Sequence, residues 1–188
     1  DSRIIVTVSP HFIINNVCHF FWVYFFTRER FIISEVILVG NLLNLLMLYF
    51  NHHTSDIKSI RDWITIHFPI VGWPLSWTLY ALFWNGATLF HSHNKSLLPR
   101  LIANLAIWEF LLVPLCILVI YGDWSVGLST SLIMLGVGLK QLFHRIVAFQ
   151  WAFALAISSV DFVASLIVMF SSALNSQENQ PLVEQVAP

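Results

Sequence analysis

Along this chain the apolar residues neither alternate nor, over most of its length, keep to one side of a helix. They run in blocks. Residues 31–50 read FIISEVILVGNLLNLLMLYF, and 98–121, 124–143 and 146–174 are blocks of the same kind. About 20 residues rising 1.5 Å each cross the hydrocarbon of a bilayer. Two more blocks are diluted: 11–26 carries His11, Asn15, Asn16 and His19, and 73–90 carries three tryptophans and Asn85. The pattern predicts an all-α, polytopic membrane helical bundle of about six transmembrane helices. They form a single domain over residues 1–174. The remaining stretch, 175–188, reads NSQENQPLVEQVAP and is expected to be a polar flexible tail.

One stretch departs from the blocks. In IKSIRDWITIHF, residues 57–68, Ile57, Ile60, Ile64 and Phe68 recur at spacings of 3, 4 and 4. Lys58, Arg61, Asp62 and Thr65 lie elsewhere around the helix. This is an amphipathic helix, expected to lie in the membrane interface. Pro69 lacks an amide donor and is expected to end it. Gly72 and Pro74 then turn the chain into the third span, leaving His67 and Trp73 at the interface.

Composition sharpens the class. The chain has 188 residues, 57% of them hydrophobic and 10% charged, against about 25% charged in a soluble domain. So few charges cannot cover a water-facing surface. The lipid bilayer is therefore a partner, in an endomembrane or the plasma membrane. A net charge of -1, without a basic tract, argues against nucleic acid and against strong binding to anionic lipid. In a six-span bundle Arg28, Arg30, Lys95, Arg100, Lys140 and Arg145 fall on one side, and Arg3, Lys58 and Arg61 on the other. The excess places the first group in the cytoplasm. The chain begins at Asp1 without a methionine, so its native N-terminus is expected further upstream. Residues 11–26 are followed by TRER and not by a small-residue cleavage site, which argues against a cleaved signal peptide. Cys18 and Cys116 fall in apolar stretches and read as small buried hydrophobes.

Ionisable groups at mid-membrane depth cost roughly 2.5–3.5 kcal/mol each on insertion scales, so each needs a reason. Glu35 lies one turn into the second span and can reach the interface. Glu109, in NLAIWEFLLVP, and Asp161, in AISSVDFVASL, sit near the middle of the fourth and sixth spans and are expected to face the bundle interior. No lysine or arginine lies at that depth, so burial favours the protonated form of each. Ser158 and Ser165 share a helical face with Asp161. Two readings stand: a tight small-residue interface with a neutral aspartate, or a proton or cation site shared with Glu109. Asn41, Asn44, Asn85 and Asn104 are expected to bond across helices. His91, His93 and His144 fall on one side of the membrane and form a weak zinc set; no cofactor is expected. No nucleophile elbow, phosphate loop, HExxH or paired-cysteine motif occurs, which argues against an enzyme.

In the third span Trp73, Trp77, Tyr80 and Trp84 are spaced 4, 3 and 4 apart and share one helical face. Trp73 suits the interface. The others lie deeper, as pocket lining or as packing between helices, and are expected to turn towards the fourth and sixth spans.

HFPIVGW ahead of the third span, YGDWSVG between the fourth and fifth, and FQWAFALAISSVDF in the sixth carry a resemblance. Over about residues 63–174 the chain resembles a fungal family of multi-pass membrane proteins known as a domain of unknown function (DUF1774), which implies no activity. PLSWTLYALF and NLAIW are more distantly similar to the tryptophan-rich sensory and translocator proteins. Those are helical bundles that bind porphyrins, sterols and related apolar ligands. That similarity implies a pocket of Trp77, Tyr80, Asn104, Trp108 and Trp151, to which Trp84, Glu109 and Asp161 are added from the residues themselves. The leading expectation is a non-enzymatic protein that binds or moves a small hydrophobic ligand. An accessory or assembly subunit packing on partner membrane helices is the alternative, and a lipid-modifying membrane enzyme the third.

Overall fold

A computed structural model of the chain describes residues 2–51, 57, 60–93, 97–144 and 150–178. Within them the chain is helical, in six rods. Helix α1 (Ser2–Thr27) pairs with α2 (Phe31–Asn51), and α2 packs on α4 (Trp73–His93). Helix α4 continues an earlier stretch, in which a short α3 (Ile60–Asp62) leads into a π-helical segment, Trp63–Gly72. Helices α5 (Leu97–Ala106) and α6 (Glu109–Tyr121) form one rod with a bend between them. Helix α7 (Trp124–His144) is central, packing on the π-helical segment, α4, α6 and α8 (Gln150–Glu178).

Local chemistry explains the joints. After α1, Glu29 adopts a left-handed φ of 58°, and the amides of Glu29 and Arg30 donate back to the carbonyls of Phe26 and Phe25 at 3.0 and 2.9 Å. These bonds satisfy carbonyls that the ended helix leaves open. After α6, Gly122 takes φ 64° and its amide donates to Leu118 O at 3.1 Å. A side chain would be strained there. Between α5 and α6 the bonds tighten to three-residue steps, Trp108 N to Leu105 O at 3.2 Å and Phe110 N to Ile107 O at 3.2 Å, which bends the rod.

Over residues 60–72 the winding differs from a regular helix. Pro69 does not end a helix; it lies inside the π-helical segment, which runs straight into α4. In an α-helix the proline ring collides with the carbonyl four residues back. A wider turn moves that carbonyl aside, as the bond from Trp73 N to Phe68 O, five residues back, shows. The winding also changes which residues face inward. Ile64 is exposed, whereas Trp63 is half-buried and His67 and Val71 are buried. His67 is therefore a core residue.

Four helical stretches are long and apolar enough to cross a membrane: Phe31–Asn51, Asn104–Tyr121, Trp124–Phe143 and Gln150–Leu174. The other two expected spans, 11–26 and 73–90, are helical but are not among these four. Their polar residues are used inside the bundle. His11 Nδ1 and Asn44 Oδ1 lie 2.8 Å apart, and Asn44 Nδ2 donates to His11 O at 2.9 Å. Asn41 Nδ2 donates to Asn15 Oδ1 at 2.9 Å and to Thr78 Oγ1 at 3.3 Å. Asn85 accepts from Ser34 Oγ at 2.6 Å and donates to Phe31 O at 3.0 Å and to Glu35 Oε2 at 2.5 Å. These bonds stitch α1, α2 and α4 together.

The result inverts a soluble protein. Serines, threonines, asparagines, His67, Asp123 and Asp161 are buried, while the outside carries large apolar residues such as Phe20, Val119, Phe143 and Ile167. Such a distribution suits an apolar solvent, in which polar groups must find partners within the chain. The last helix runs past residue 174 to Glu178, so part of the expected tail is helical, and 179–188 lie outside the described residues.

Candidate functional site

A buried polar cluster lies where the π-helical segment meets the start of α7. Asp123 precedes α7, and its Oδ1 accepts from Ser125 N at 2.8 Å and from Ser125 Oγ at 2.6 Å. This is a helix N-cap, the role that Asp fills because its carboxylate satisfies an amide the helix leaves open. The other oxygen, Oδ2, accepts from His67 Nε2 at 2.9 Å, with both side chains fully buried. Aromatic rings enclose the pair. Trp63 stands edge-on to His67 at 4.6 Å, and Trp63 and Trp124 are 5.5 Å apart. From α2, Tyr49 packs on His67 at 6.5 Å and on Tyr121 at 5.5 Å. Its hydroxyl lies within electrostatic reach of Asp123 without meeting hydrogen-bond geometry. Gly72 permits the close approach, since a Cβ there would lie 2.5 Å from Ser125 Oγ.

The order of the three polar residues limits their chemistry. Serine hydrolysis needs the hydroxyl to donate to the histidine and the histidine to the acid. Here Asp123 stands in the middle and receives both. The set is a clasp joining two segments, not an activated nucleophile.

Burial alone would push the Asp123 carboxyl up. The hydrogen bond and charge of His67, with the hydroxyl and amide of Ser125, outweigh it and hold the carboxyl below its usual range. The stability this contributes is fully present above the ordinary aspartate value of about 3.9 and is lost as pH falls through the lower folded value. Melting temperatures in detergent should therefore separate wild type from Asp123→Asn by a gap that persists from pH 7 down to pH 5. The gap should close only in strong acid; one that narrows already between pH 7 and 5 would refute the assignment.

The residues expected to form a pocket scatter. Trp77 and Tyr80 are half-buried against the core of Ile107, Phe110, Met134, Ala154 and Ile157. Tyr80 meets Phe110 of α6 at 6.2 Å, while Trp77 also approaches His19 of α1 at 6.4 Å. Trp84 does not follow them; it is 44% exposed, with the Lys140 ammonium 5.8 Å over its ring. Asn104 Oδ1 accepts from Gln150 Nε2 at 2.7 Å. Trp108 is 36% exposed and packs on Phe153 at 5.5 Å. Trp151 is half-buried. Asp161 is fully buried. Glu109 is exposed, against the expectation that it faces inward, because the bend at 107–108 starts a new helix at Glu109 and Phe110 takes the inward position. Cys116 is likewise exposed, not a buried hydrophobe. The side chains of His91, His93 and His144 lie outside the described residues.

Sequence reasoning missed His67, Asp123 and Ser125 as a unit, although HFPIVGW and YGDWSVG carried the resemblance. One signal was present: a helix-ending glycine followed by Asp-x-Ser is an N-cap pattern. The histidine partner, 56 residues away in the chain, left none.

The fold defines a helical bundle with four helices fit to cross a membrane and a buried His–Asp clasp at one end. Residues 100–187 match the family described as a fungal protein of unknown function (DUF1774). The match takes in YGDWSVG and FQWAFALAISSVDF and begins beyond HFPIVGW, so it starts later in the chain and reaches further than the resemblance over 63–174. No curated protein and no solved structure matches the chain. The similarity to the tryptophan-rich sensory and translocator proteins is not shown.

Proposed function

We propose that this chain is a multi-pass membrane subunit whose α5–α6 rod receives a transmembrane helix of a different protein, one carrying a lysine or arginine. One observation carries the reading. In α6, Glu109, Leu112, Cys116 and Val119 recur at spacings of 3, 4 and 3, and all four are exposed. That spacing is the seam along which two helices interlock. An apolar stripe alone would be at home in lipid; the carboxyl in it would not. At 1.5 Å per residue Glu109 stands about 8 Å from one end of the span Asn104–Tyr121 and about 18 Å from the other, within the hydrocarbon. A carboxylate facing hydrocarbon there is strongly disfavoured unless it is paired. A second copy docked about a two-fold axis would bring the two Glu109 side chains near each other, which like charges oppose. A basic partner supplies the missing charge.

The orientation of Trp84 and Trp108 weighs in the same direction. Turned outward, they favour a partner surface over an internal pocket for a small hydrophobic ligand.

A photo-crosslinking amino acid at Leu112 or Val119 tests this in native membranes. Each should yield one adduct of a single discrete mass, with a basic residue in the crosslinked segment. The same probe at Val36, on the exposed face of α2, should yield none, and Glu109→Leu should reduce the α6 adduct at least tenfold. Adducts to lipid alone, to a second copy of this chain, or undiminished in Glu109→Leu would overturn the proposal.

A further inference from the structure

We infer that Asp161 and Ser165 hold a monovalent cation, a proton or a sodium ion, between α7 and α8. The hydroxyls around them are hydrogen-bonded. Ser131 Oγ donates to Ser158 O at 2.8 Å, and Ser158 Oγ donates back to Ser131 O at 2.8 Å. Ser129 Oγ donates to Ser125 O at 2.7 Å, and Thr130 Oγ1 to Ser76 Oγ at 3.2 Å. Asp161 and Ser165 break the pattern. Both are buried, at 0% and 1% exposure, and neither carboxyl oxygen of Asp161 nor Ser165 Oγ has a hydrogen-bond partner among the described residues. They lie one turn apart on the face of α8 that meets α7, where Ser165 is pressed against Gly127.

Buried oxygens without partners cost free energy, and natural structures rarely leave them so. A hard cation can be held by two carboxylate oxygens and a hydroxyl oxygen together. Its charge follows from the surroundings. At 1.5 Å per residue Asp161 stands about 16 Å from Gln150 in a helix fit to span a membrane. One carboxylate with one positive charge is neutral there; a divalent ion would leave an excess charge. Among the described residues no other charged group competes. Of the helices packed on α8, α6 turns Glu109 and Cys116 outward and packs Tyr121 on Tyr49. Near α7, Asp123 is engaged by His67, and Lys140 lies over Trp84.

Dicyclohexylcarbodiimide, which adds to protonated carboxyls, is a suitable probe on the full chain in mild detergent, read by mass spectrometry of the Asp161 peptide. In choline chloride Asp161 should be labelled. If the guest is sodium, replacing choline by sodium at fixed pH should slow labelling at least threefold. If it is a proton, labelling should fall at least threefold as pH rises, whichever salt is present. Asp161→Asn keeps the shape and loses the charge, so the melting temperature of wild type should shift further with sodium or pH than that of Asp161→Asn. Asp161 left unlabelled in every condition while exposed Glu109 is labelled, equal labelling in all conditions, or an identical shift in Asp161→Asn would overturn the inference.

Discussion

Replacing His67 with alanine should lower the free energy of unfolding by about 3–5 kcal/mol, the range found when one partner of a buried charged pair is removed. The reason is what remains. Asp123 Oδ2 loses its bond from His67 Nε2 in a place with no access to solvent. A cavity opens beside Trp63 as well, and cavities add to the loss. A contrasting pair calibrates the expectation. Arg61 and Asp62 are exposed and 3.9 Å apart, so Asp62→Ala should cost at most about 1 kcal/mol. The two variants can be compared by chemical denaturation in detergent micelles. If His67→Ala costs no more than Asp62→Ala, the clasp does not hold the bundle together. The double variant His67→Leu/Asp123→Leu should recover part of the loss, because a buried pair exchanged for apolar residues is often neutral. The recovery should be incomplete, since the cap on Ser125 is worth a further ~1 kcal/mol.

Gly72→Ala should destabilise by about 1–3 kcal/mol, the usual cost of forcing atoms into a packed site. The new Cβ would lie 2.5 Å from Ser125 Oγ, 2.9 Å from its Cβ and 3.2 Å from its carbonyl carbon. A flexible side-chain tip can swing away; the main chain at the start of α7 cannot. Relief must come from moving the π-helical segment off α7, which stretches the bond between His67 and Asp123. Gly72→Ala and His67→Ala therefore act on one contact, and their losses should not add. A double variant as destabilised as the sum of the two, within about 0.5 kcal/mol, would show that Gly72 and His67 are independent.

Block hydrophobicity by itself determined the class of this protein. With 10% charged residues no water-facing shell can be built, so long apolar helices follow from composition and need no tertiary information. Asn41, Asn44, Asn85 and Asn104 were legible in the same way, because an amide inside an apolar helix has to bond to a neighbour. What the tertiary structure decided begins where a local rule meets a neighbouring helix. Pro69 reads as a helix end by its own chemistry, yet packing against α7 and α2 makes a widened helix the better solution and carries His67 into the core. Glu109 reads as inward by the cost of its charge, yet the bend at 107–108 gives the inward position to Phe110. The partner of His67 lies 56 residues further along the chain. Helical periodicity relates residues three or four apart, so it fixes which side a residue takes on its own helix. Which helix that side meets is set by how all the rods pack at once, and only the tertiary structure holds that information.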